Sequence, residues 1–172
     1  LVHGSPEKDV ETIDLPLGKH PSVKEKYAVR FDETGKASLT IARVRERYLA
    51  PGGERYALVE LELKTGRTHQ IRVHLSYLGL PIVGDDMYGG KHTTERMLGG
   101  DDDTMLLARQ ALHATTLGIR HPMTEQPMSF TAPVAADVRR AVELLRASTR
   151  AAGLEPRVDA PGTTIDAASA GL

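Results

Sequence analysis

The chain has 172 residues, and its 22 Lys and Arg residues nearly balance its 23 Asp and Glu residues, which leaves a formal net charge of −1. This length suits one domain with its own core. The charge balance excludes a general basic field, so any binding to nucleic acid has to use a local basic patch. The absence of Cys excludes disulfides and thiolate metal sites and fits a cytoplasmic protein. No apolar run approaches the roughly 20 residues that span a bilayer, so no membrane contact is expected.

The first half of the chain divides into an irregular part and a part with strand character. Three prolines interrupt any regular element in residues 1–35, which we therefore expect to be irregular. Residues 36–64 show the apolar alternation of half-buried strands. Ala50-Pro51-Gly52-Gly53 is typical of a hairpin connection, and a β-bulge is expected near Ala42, where the apolar phase changes. This part is predicted to be an antiparallel strand pair.

A helix is predicted after the strand pair. Ile71, Leu75 and Leu78 follow the i, i+4, i+7 spacing of one helix face. The helix is expected to begin near Thr68, whose hydroxyl suits an N-terminal cap, and to end at Gly79 in a left-handed conformation.

The last third of the chain predicts a second hairpin and a closing helix. Residues 112–119 and 128–131 suit two strands joined by a turn. Pro133 suits the first position of a helix with an apolar stripe that ends around Arg150. Residues 151–172 lose all periodicity, and a disordered tail is predicted there, after a domain that spans residues 1–150.

Cationic and imidazole side chains are concentrated in residues 63–75. Arg67 and Arg72 are five positions apart, so they lie on different helix faces and should have different partners. Arg72 adjoins the apolar Ile71 and is expected to be the more buried of the two. A buried guanidinium needs a carboxylate or phosphate partner. Ordinary surface ion pairs are the alternative interpretation for both arginines.

Two further patterns suggest binding sites. Arg43, Arg45 and Arg47 alternate on one strand face and form a basic stripe, which is either a solvated face or a contact for RNA phosphates. The second pattern is a metal site, as in a metal hydrolase, made of three side chains: His69, His74 and Asp85. Its histidines are five positions apart, whereas zinc-binding helices use four, so the pattern is weak.

Several motifs resemble one family. The central motif TGRTHQIRVHL at residues 65–75 is followed by GLPIVGD at residues 79–85. Shorter matches are GKASLT at 35–40, Tyr88-Gly89, QALHA at 110–114, His121-Pro122 and FTAP at 130–133. Together they resemble the RluA-type pseudouridine synthases over roughly residues 1–150, and the central motif is long enough to be highly specific.

The resemblance implies an α+β fold with a mixed, mainly antiparallel sheet and packed helices. It implies isomerisation of uridine to pseudouridine in ribosomal or transfer RNA by a monomer, without cofactor or metal. In such enzymes a catalytic Asp attacks a nucleoside flipped out of the RNA, the glycosidic bond breaks, and the base rotates and rejoins through carbon. The expected partner is RNA, and this chemistry on a structured RNA requires that the base be flipped out of its stack.

The resemblance also implies roles for individual residues. Arg72 is expected to pair with the catalytic carboxylate, and Leu112 to pack near the uracil pocket. Contacts with the flipped nucleotide or its phosphates are expected from Arg67, Thr68, His69 and Gln70. Shape-giving positions are Gly66, Pro81, Gly84 and Asp85.

The family's catalytic Asp and active-site Tyr are expected upstream of Leu1. The resemblance therefore implies the C-terminal part of a catalytic domain, inactive by itself and with an exposed sheet edge and apolar surface. Asp32, beside Arg30, lies where the family has a variable turn, so we interpret it as a turn residue and not as the nucleophile. The alternative function is a non-catalytic RNA-binding module that uses the same surface.

Overall fold

The computed structural model describes residues 1–156 and confirms the predicted α+β class, with antiparallel strand pairs and two α-helices. The elements in chain order are β1 (Val2–His3), β2 (Val10–Asp14), β3 (Leu17–Lys19), β4 (Tyr27–Val29), β5 (Leu39–Leu49), β6 (Arg55–Leu63), α1 (Gln70–Tyr77), β7 (Thr93–Thr94), β8 (Met105–Leu107), β9 (Thr116–Arg120), β10 (Pro127–Thr131) and α2 (Ala136–Ala151). Single 3₁₀ turns lie at Asp86–Tyr88 and Arg96–Leu98.

The main sheet has the strand order β1-β6-β5-β2, and its central pair is the predicted antiparallel hairpin. A bulge is present in β5, but its predicted position near Ala42 was wrong, because the register shift falls between Val44 and Glu46. The apolar residues change phase at Ala42, but the buried side chain before Ala42 is the polar Thr40. Burial therefore alternates along β5 without a break at this position. Arg45 is the extra residue of the bulge.

The expectation that residues 1–35 are irregular was also wrong. Strand β2 pairs with β5 over five residues, from Val10 opposite Arg43 to Asp14 opposite Leu39, and β3 pairs with β4. The three prolines lie between these strands and do not interrupt them. The long neighbour β5 supplies the hydrogen-bond partners that a short and mostly exposed strand needs.

Helix α2 covers the main sheet with the apolar stripe expected from the sequence, whose buried members include Val138, Val142 and Leu145. It begins at Ala136, so the prediction of Pro133 at the first helical position was wrong. In the first turn, the Asp137 carboxylate accepts a hydrogen bond from the Val138 N–H at 2.8 Å. Within residues 1–156, no helix is both long and apolar enough to cross a membrane.

The C-terminal end of α2 is tied to the end of β5. The Thr149 hydroxyl accepts a hydrogen bond from the Leu49 N–H at 3.0 Å, and the Ser148 hydroxyl donates to the Leu49 carbonyl at 2.9 Å. The helix continues to Ala151, and residues 157–172 of the predicted tail lie outside the described residues.

The second predicted hairpin is present as β9 and β10, although β9 begins at Thr116 and not at Leu112. Leu117 pairs with Phe130 and Ile119 with Met128, so four apolar side chains share one hairpin face. All four are among the exposed large hydrophobic residues of the chain. This face is an exposed apolar surface, and a link between such a surface and a missing upstream segment, which the resemblance implies, stays a prediction.

Candidate active site

The central motif connects β6 to α1 through an unusual turn. His69 adopts a left-handed conformation, with φ 55° and ψ 19°, immediately before the first helical residue, Gln70. The predicted cap by Thr68 was wrong, because no side chain caps this helix. A positive φ is uncommon for a residue other than glycine, so the neighbouring contacts have to hold His69 in place.

Gln70 supplies much of that support. Its Oε1 accepts hydrogen bonds from the Thr65 hydroxyl at 2.9 Å and from the Arg67 N–H at 3.0 Å. Its Nε2 donates to the Leu39 carbonyl at 3.1 Å and to the Thr40 hydroxyl at 3.0 Å. The buried amide therefore uses its whole hydrogen-bonding capacity to join the turn to β5. An RNA contact by Gln70 stays an untested prediction.

Arg72 and Asp85 form a bidentate ion pair. Arg72 Nε lies 2.7 Å from Asp85 Oδ2, and Arg72 Nη2 lies 2.7 Å from Asp85 Oδ1. The side chains are 15% and 1% exposed, respectively. The hydrogen bonds to Asp85 raise the pKa of Arg72 above its ordinary value. The sequence predicts burial of Arg72 and a carboxylate or phosphate partner, and the resemblance places the expected carboxylate upstream of Leu1. The partner within the chain is Asp85, for which the sequence and the resemblance indicate only a role in shape or, in the weak alternative, in a metal site.

Tyr88 forms the wall behind this pair. The Arg72 guanidinium carbon lies 4.7 Å from the centroid of the Tyr88 ring, a cation–π distance. The Tyr88 hydroxyl accepts a hydrogen bond from the Tyr27 N–H at 2.9 Å and lies 2.9 Å from His69 Nδ1. Desolvation lowers the pKa of His69, with the Arg72 charge acting in the same direction. One connected network thus contains Asp85, Arg72, Tyr88 and His69.

Sequence reasoning missed Tyr88 and Tyr27 as members of the site. Tyr88 lies three positions after Asp85 in the sequence GDDMYGG, a spacing that a single 3₁₀ turn brings to one side. Tyr27 comes from a segment that was expected to be irregular because of its prolines. The signal for Tyr88 was therefore local, whereas Tyr27 could be found only through the pairing of β3 with β4.

His74, which also lies in α1, is fully buried. Its Nδ1 lies 3.0 Å from the Thr40 hydroxyl, and its Nε2 lies 3.0 Å from the Leu15 carbonyl. Desolvation lowers the pKa of His74. The native state therefore favours the neutral imidazole, while the unfolded chain takes up a proton near the ordinary pKa of about 6.5.

We predict that acidification from about pH 7 to about pH 5.5 lowers the free energy of unfolding, because the unfolded state then binds more protons than the native state. His74→Gln should make this fall smaller, as measured by urea unfolding at each pH. Other groups whose pKa is lowered, including His3 and His69, titrate in both proteins. His92→Gln, at an exposed position, is the control for the removal of an imidazole. An equal slope in His74→Gln would contradict the prediction.

The remaining predicted RNA contacts occupy different environments. Arg67 and Thr68 are exposed at the turn, and Arg67 Nε lies 3.3 Å from the Ala37 carbonyl. Leu112 is half-buried against the main core. Arg67, Thr68 and His69 therefore share the turn before α1, and their contact with RNA stays a prediction, as does the uracil contact of Leu112.

The arginine stripe lies along the outer face of β5, and each of its members has an acidic neighbour. Arg43 Nη1 lies 3.1 Å from Glu62, Arg45 Nε lies 2.8 Å from Glu60, and Arg47 Nη2 lies 2.8 Å from Asp9. Arg47 also donates to the Pro6 carbonyl. The stripe therefore consists of ion pairs, and the positive electrostatic potential along it is weaker than the three arginines alone would produce.

The residues of the proposed metal site have other partners. His69 contacts Tyr88, His74 contacts Thr40 and the Leu15 carbonyl, and Asp85 is bound by Arg72. Among residues 1–156, no group of three or more His, Cys, Asp or Glu side chains is placed to hold a metal ion. Nothing in this arrangement supports the metal hydrolase alternative.

Asp32 lies in a turn, as interpreted from the sequence. Its Oδ1 accepts hydrogen bonds from the Thr34 N–H at 3.1 Å and the Thr34 hydroxyl at 2.5 Å, and its Oδ2 accepts one from Arg30 Nε at 3.0 Å. The hydrogen bonds from Arg30 and Thr34 lower the pKa of Asp32 to about 2. Bonds of this kind to neighbours two positions away are typical of a structural Asx turn.

Gly84 shapes the loop that carries Asp85. Its φ is +77°, and an added Cβ would lie 2.1 Å from the Arg109 carbonyl oxygen. Gly84→Ala should therefore lower the free energy of unfolding by about 2 to 3 kcal/mol, from the left-handed backbone and from overpacking. Gly79 has φ +74° with no atom near its Cβ position, and Gly66 has neither constraint.

This glycine series separates the two causes. Gly79→Ala should cost about 1 kcal/mol, and Gly66→Ala should have almost no effect. Urea unfolding measures all three variants. Equal costs at Gly84 and Gly79 would show that the carbonyl of Arg109 moves freely away and that Gly84 is needed only for its backbone angle.

Comparison with known proteins gives consistent matches. The family model for RNA pseudouridylate synthase matches residues 1–77. A ribosomal large subunit pseudouridine synthase D of Xanthomonas campestris pv. campestris is 43% identical over 152 residues, which cover 85% of this chain and 43% of that protein. The uncharacterized RNA pseudouridine synthase YlyB of Bacillus subtilis is 38% identical over 146 residues, with 85% and 42% coverage. The chain thus spans less than half the length of these relatives.

Two solved human structures are similar in fold. The RNA pseudouridylate synthase domain containing 1 protein superposes with a TM-score of 0.57 at 26% identity, over 91% of this chain and 65% of that one. The domain containing 4 protein gives a TM-score of 0.60 at 22% identity, with 84% and 59% coverage. The second likeness concerns the fold alone.

Proposed function

Because the chain belongs to the RluA-type family of RNA pseudouridine synthases, we propose that it is the C-terminal part of a catalytic domain that isomerises uridine to pseudouridine in ribosomal or transfer RNA. The nucleophilic aspartate and the active-site tyrosine come from a segment upstream of Leu1. The enzyme works in the cytoplasm as a monomer, and it needs neither metal nor cofactor.

The observation that carries this proposal is the position of Arg72. Its Nε and Nη2 atoms bind Asp85, and within the described residues Nη1 makes no hydrogen bond. A guanidinium has five N–H donors, so a second carboxylate can approach the remaining edge. The proposed role of Arg72 is to bind the nucleophilic carboxylate through that edge, which keeps it ionised and directed at the nucleoside.

Release of tritium from RNA labelled at uridine C5 tests the function, because the isomerisation replaces the hydrogen at that carbon. A longer protein that includes the upstream Asp and Tyr should release tritium from ribosomal or transfer RNA, whereas the 172-residue chain alone should not. Failure of the longer protein on every cellular RNA would overturn the proposal. Release by the short chain would place the nucleophile within residues 1–172.

The second candidate is a non-catalytic RNA-binding module. It is favoured by Arg67, which is exposed at the turn and has no acidic partner among residues 1–156.

We predict that changing Arg43, Arg45 and Arg47 together to Ala weakens RNA binding. Each arginine that neutralises a phosphate contributes about 0.7 to 0.9 to the slope of log affinity against log salt, so the slope should become shallower by that amount for each such arginine removed. Filter binding at several salt concentrations measures this slope.

The control for this series is Arg139→Ala, which removes an exposed arginine outside the stripe. It should leave both affinity and slope unchanged. An unchanged affinity in the triple variant would mean that the acidic neighbours of the stripe already satisfy it and that RNA does not contact this face.

A further inference from the structure

Backbone hydrogen bonds hold Asp85 in place independently of its contact with Arg72. Its N–H donates to the Ile82 carbonyl at 3.1 Å, and its carbonyl accepts hydrogen bonds from the N–H groups of Tyr88 at 3.1 Å and Gly90 at 2.7 Å. An added Cβ at Gly90 would lie 1.8 Å from the Ile82 carbonyl oxygen, so the backbone segments pack directly against one another. The carboxylate is therefore presented from a fixed loop.

Arg72 is constrained in two directions by this loop. The bidentate contact with Asp85 fixes the rotation of the guanidinium in its own plane. The centroid of the Tyr88 ring lies 4.7 Å from the guanidinium carbon and limits its movement on that side, and this ring is anchored through its hydroxyl by Tyr27 and His69. An arginine side chain without such contacts samples many rotamers, which would be costly in a site that requires one orientation.

We propose that Asp85 is a positioning residue for catalysis: by occupying the Nε and Nη2 side of Arg72, it turns the Nη1 side toward the carboxylate that the upstream segment supplies. This inference rests on the proposed function and extends it. Asp85 does not touch the nucleoside. It acts only through Arg72, so its contribution should vanish when Arg72 can no longer form a bidentate contact.

A double-mutant cycle in the longer protein tests this dependence, using wild type, Arg72→Lys, Asp85→Asn and the double variant. Single-turnover tritium release measures the chemical step, and filter binding measures RNA affinity. Asp85→Asn should slow release by about tenfold to a hundredfold, as for other groups that orient a reactive side chain, with RNA affinity unchanged within about twofold. In the Arg72→Lys background the same change should slow release by no more than about twofold.

Asp86 provides the matched control, because it is the adjacent residue, carries the same charge and is exposed. Asp86→Asn should leave release and affinity unchanged. If Asp85→Asn fails to fold at the assay temperature, Asp85→Glu takes its place in the cycle. This variant keeps the charge but displaces the carboxylate, and it should slow release by about tenfold only when Arg72 is present.

The outcomes separate the two proposals. Losses that multiply in the double variant, or a loss of affinity equal to the loss of release, would assign Asp85 a general structural role and overturn the inference while the proposed function stands. Absence of release from the wild-type longer protein would overturn the proposed function and with it the catalytic role of Asp85.

The fixed orientation of the Arg72 guanidinium is measured separately, in the 172-residue chain, by hydrogen exchange of the Arg72 Nε–H. This exchange should be slow in wild type and Asp86→Asn and fast in Asp85→Asn. Slow exchange in Asp85→Asn would also overturn the inference.

Discussion

Replacing Arg72 with alanine in the 172-residue chain is expected to lower the free energy of unfolding by about 3 to 5 kcal/mol. The reason is the environment of Asp85, whose side chain is 1% exposed and whose side-chain hydrogen bonds within residues 1–156 both come from Arg72. Removing the cation leaves a buried carboxylate without its counterion. Urea unfolding of the two proteins measures the difference.

Two companion variants identify the cause. Arg67→Ala removes an exposed guanidinium of the same turn and should change the free energy of unfolding by no more than about 0.5 kcal/mol. The double variant Arg72→Met, Asp85→Leu removes both charges and should recover most of the loss, because apolar replacements of a buried pair are often neutral. A double variant as unstable as Arg72→Ala would mean that the packing of Arg72 against Tyr88, and not the charge of Asp85, is responsible.

The fold was predictable where periodicity is long and local. The hairpin of β5 and β6 and the stripe of α2 extend over 9 to 16 residues, and their alternation or helical spacing is visible in the sequence. Strand β2 was missed because only Ile13 is buried in its five residues. Its conformation depends on pairing with β5, about 30 positions away, which a local pattern does not contain.

The site was predictable in its composition but not in its pairing. The motif singled out Arg72 and the need for a carboxylate or phosphate partner, since a buried guanidinium cannot remain unpaired. That Asp85 is such a partner follows from the loop geometry at Gly84 and Gly90, where the backbone approaches closely. In the same way, the buried hydrogen bonds of Gln70 depend on Leu39 and Thr40, which lie on a distant strand.

In a longer protein with the upstream segment, Arg72→Ala is expected to slow tritium release at saturating RNA by about 100- to 1000-fold, the loss typical of removing one preorganised electrostatic contact. RNA affinity should change little, because the Nε and Nη2 atoms face Asp85 and not a phosphate. Arg72→Lys should give a smaller loss, since lysine keeps the charge but cannot bind two carboxylates in fixed directions. Single-turnover assays and filter binding measure the two quantities separately.

Arg67→Ala should give the opposite pattern, because Arg67 is exposed at the start of the turn and has no carboxylate partner within residues 1–156. Its removal should weaken RNA binding and reduce the salt dependence, with release at saturating RNA largely kept. The two arginines would then divide binding and chemistry between them. Equal losses of affinity and release in Arg72→Ala, with folding intact, would show instead that Arg72 binds phosphate and that the nucleophile is held ionised by another group.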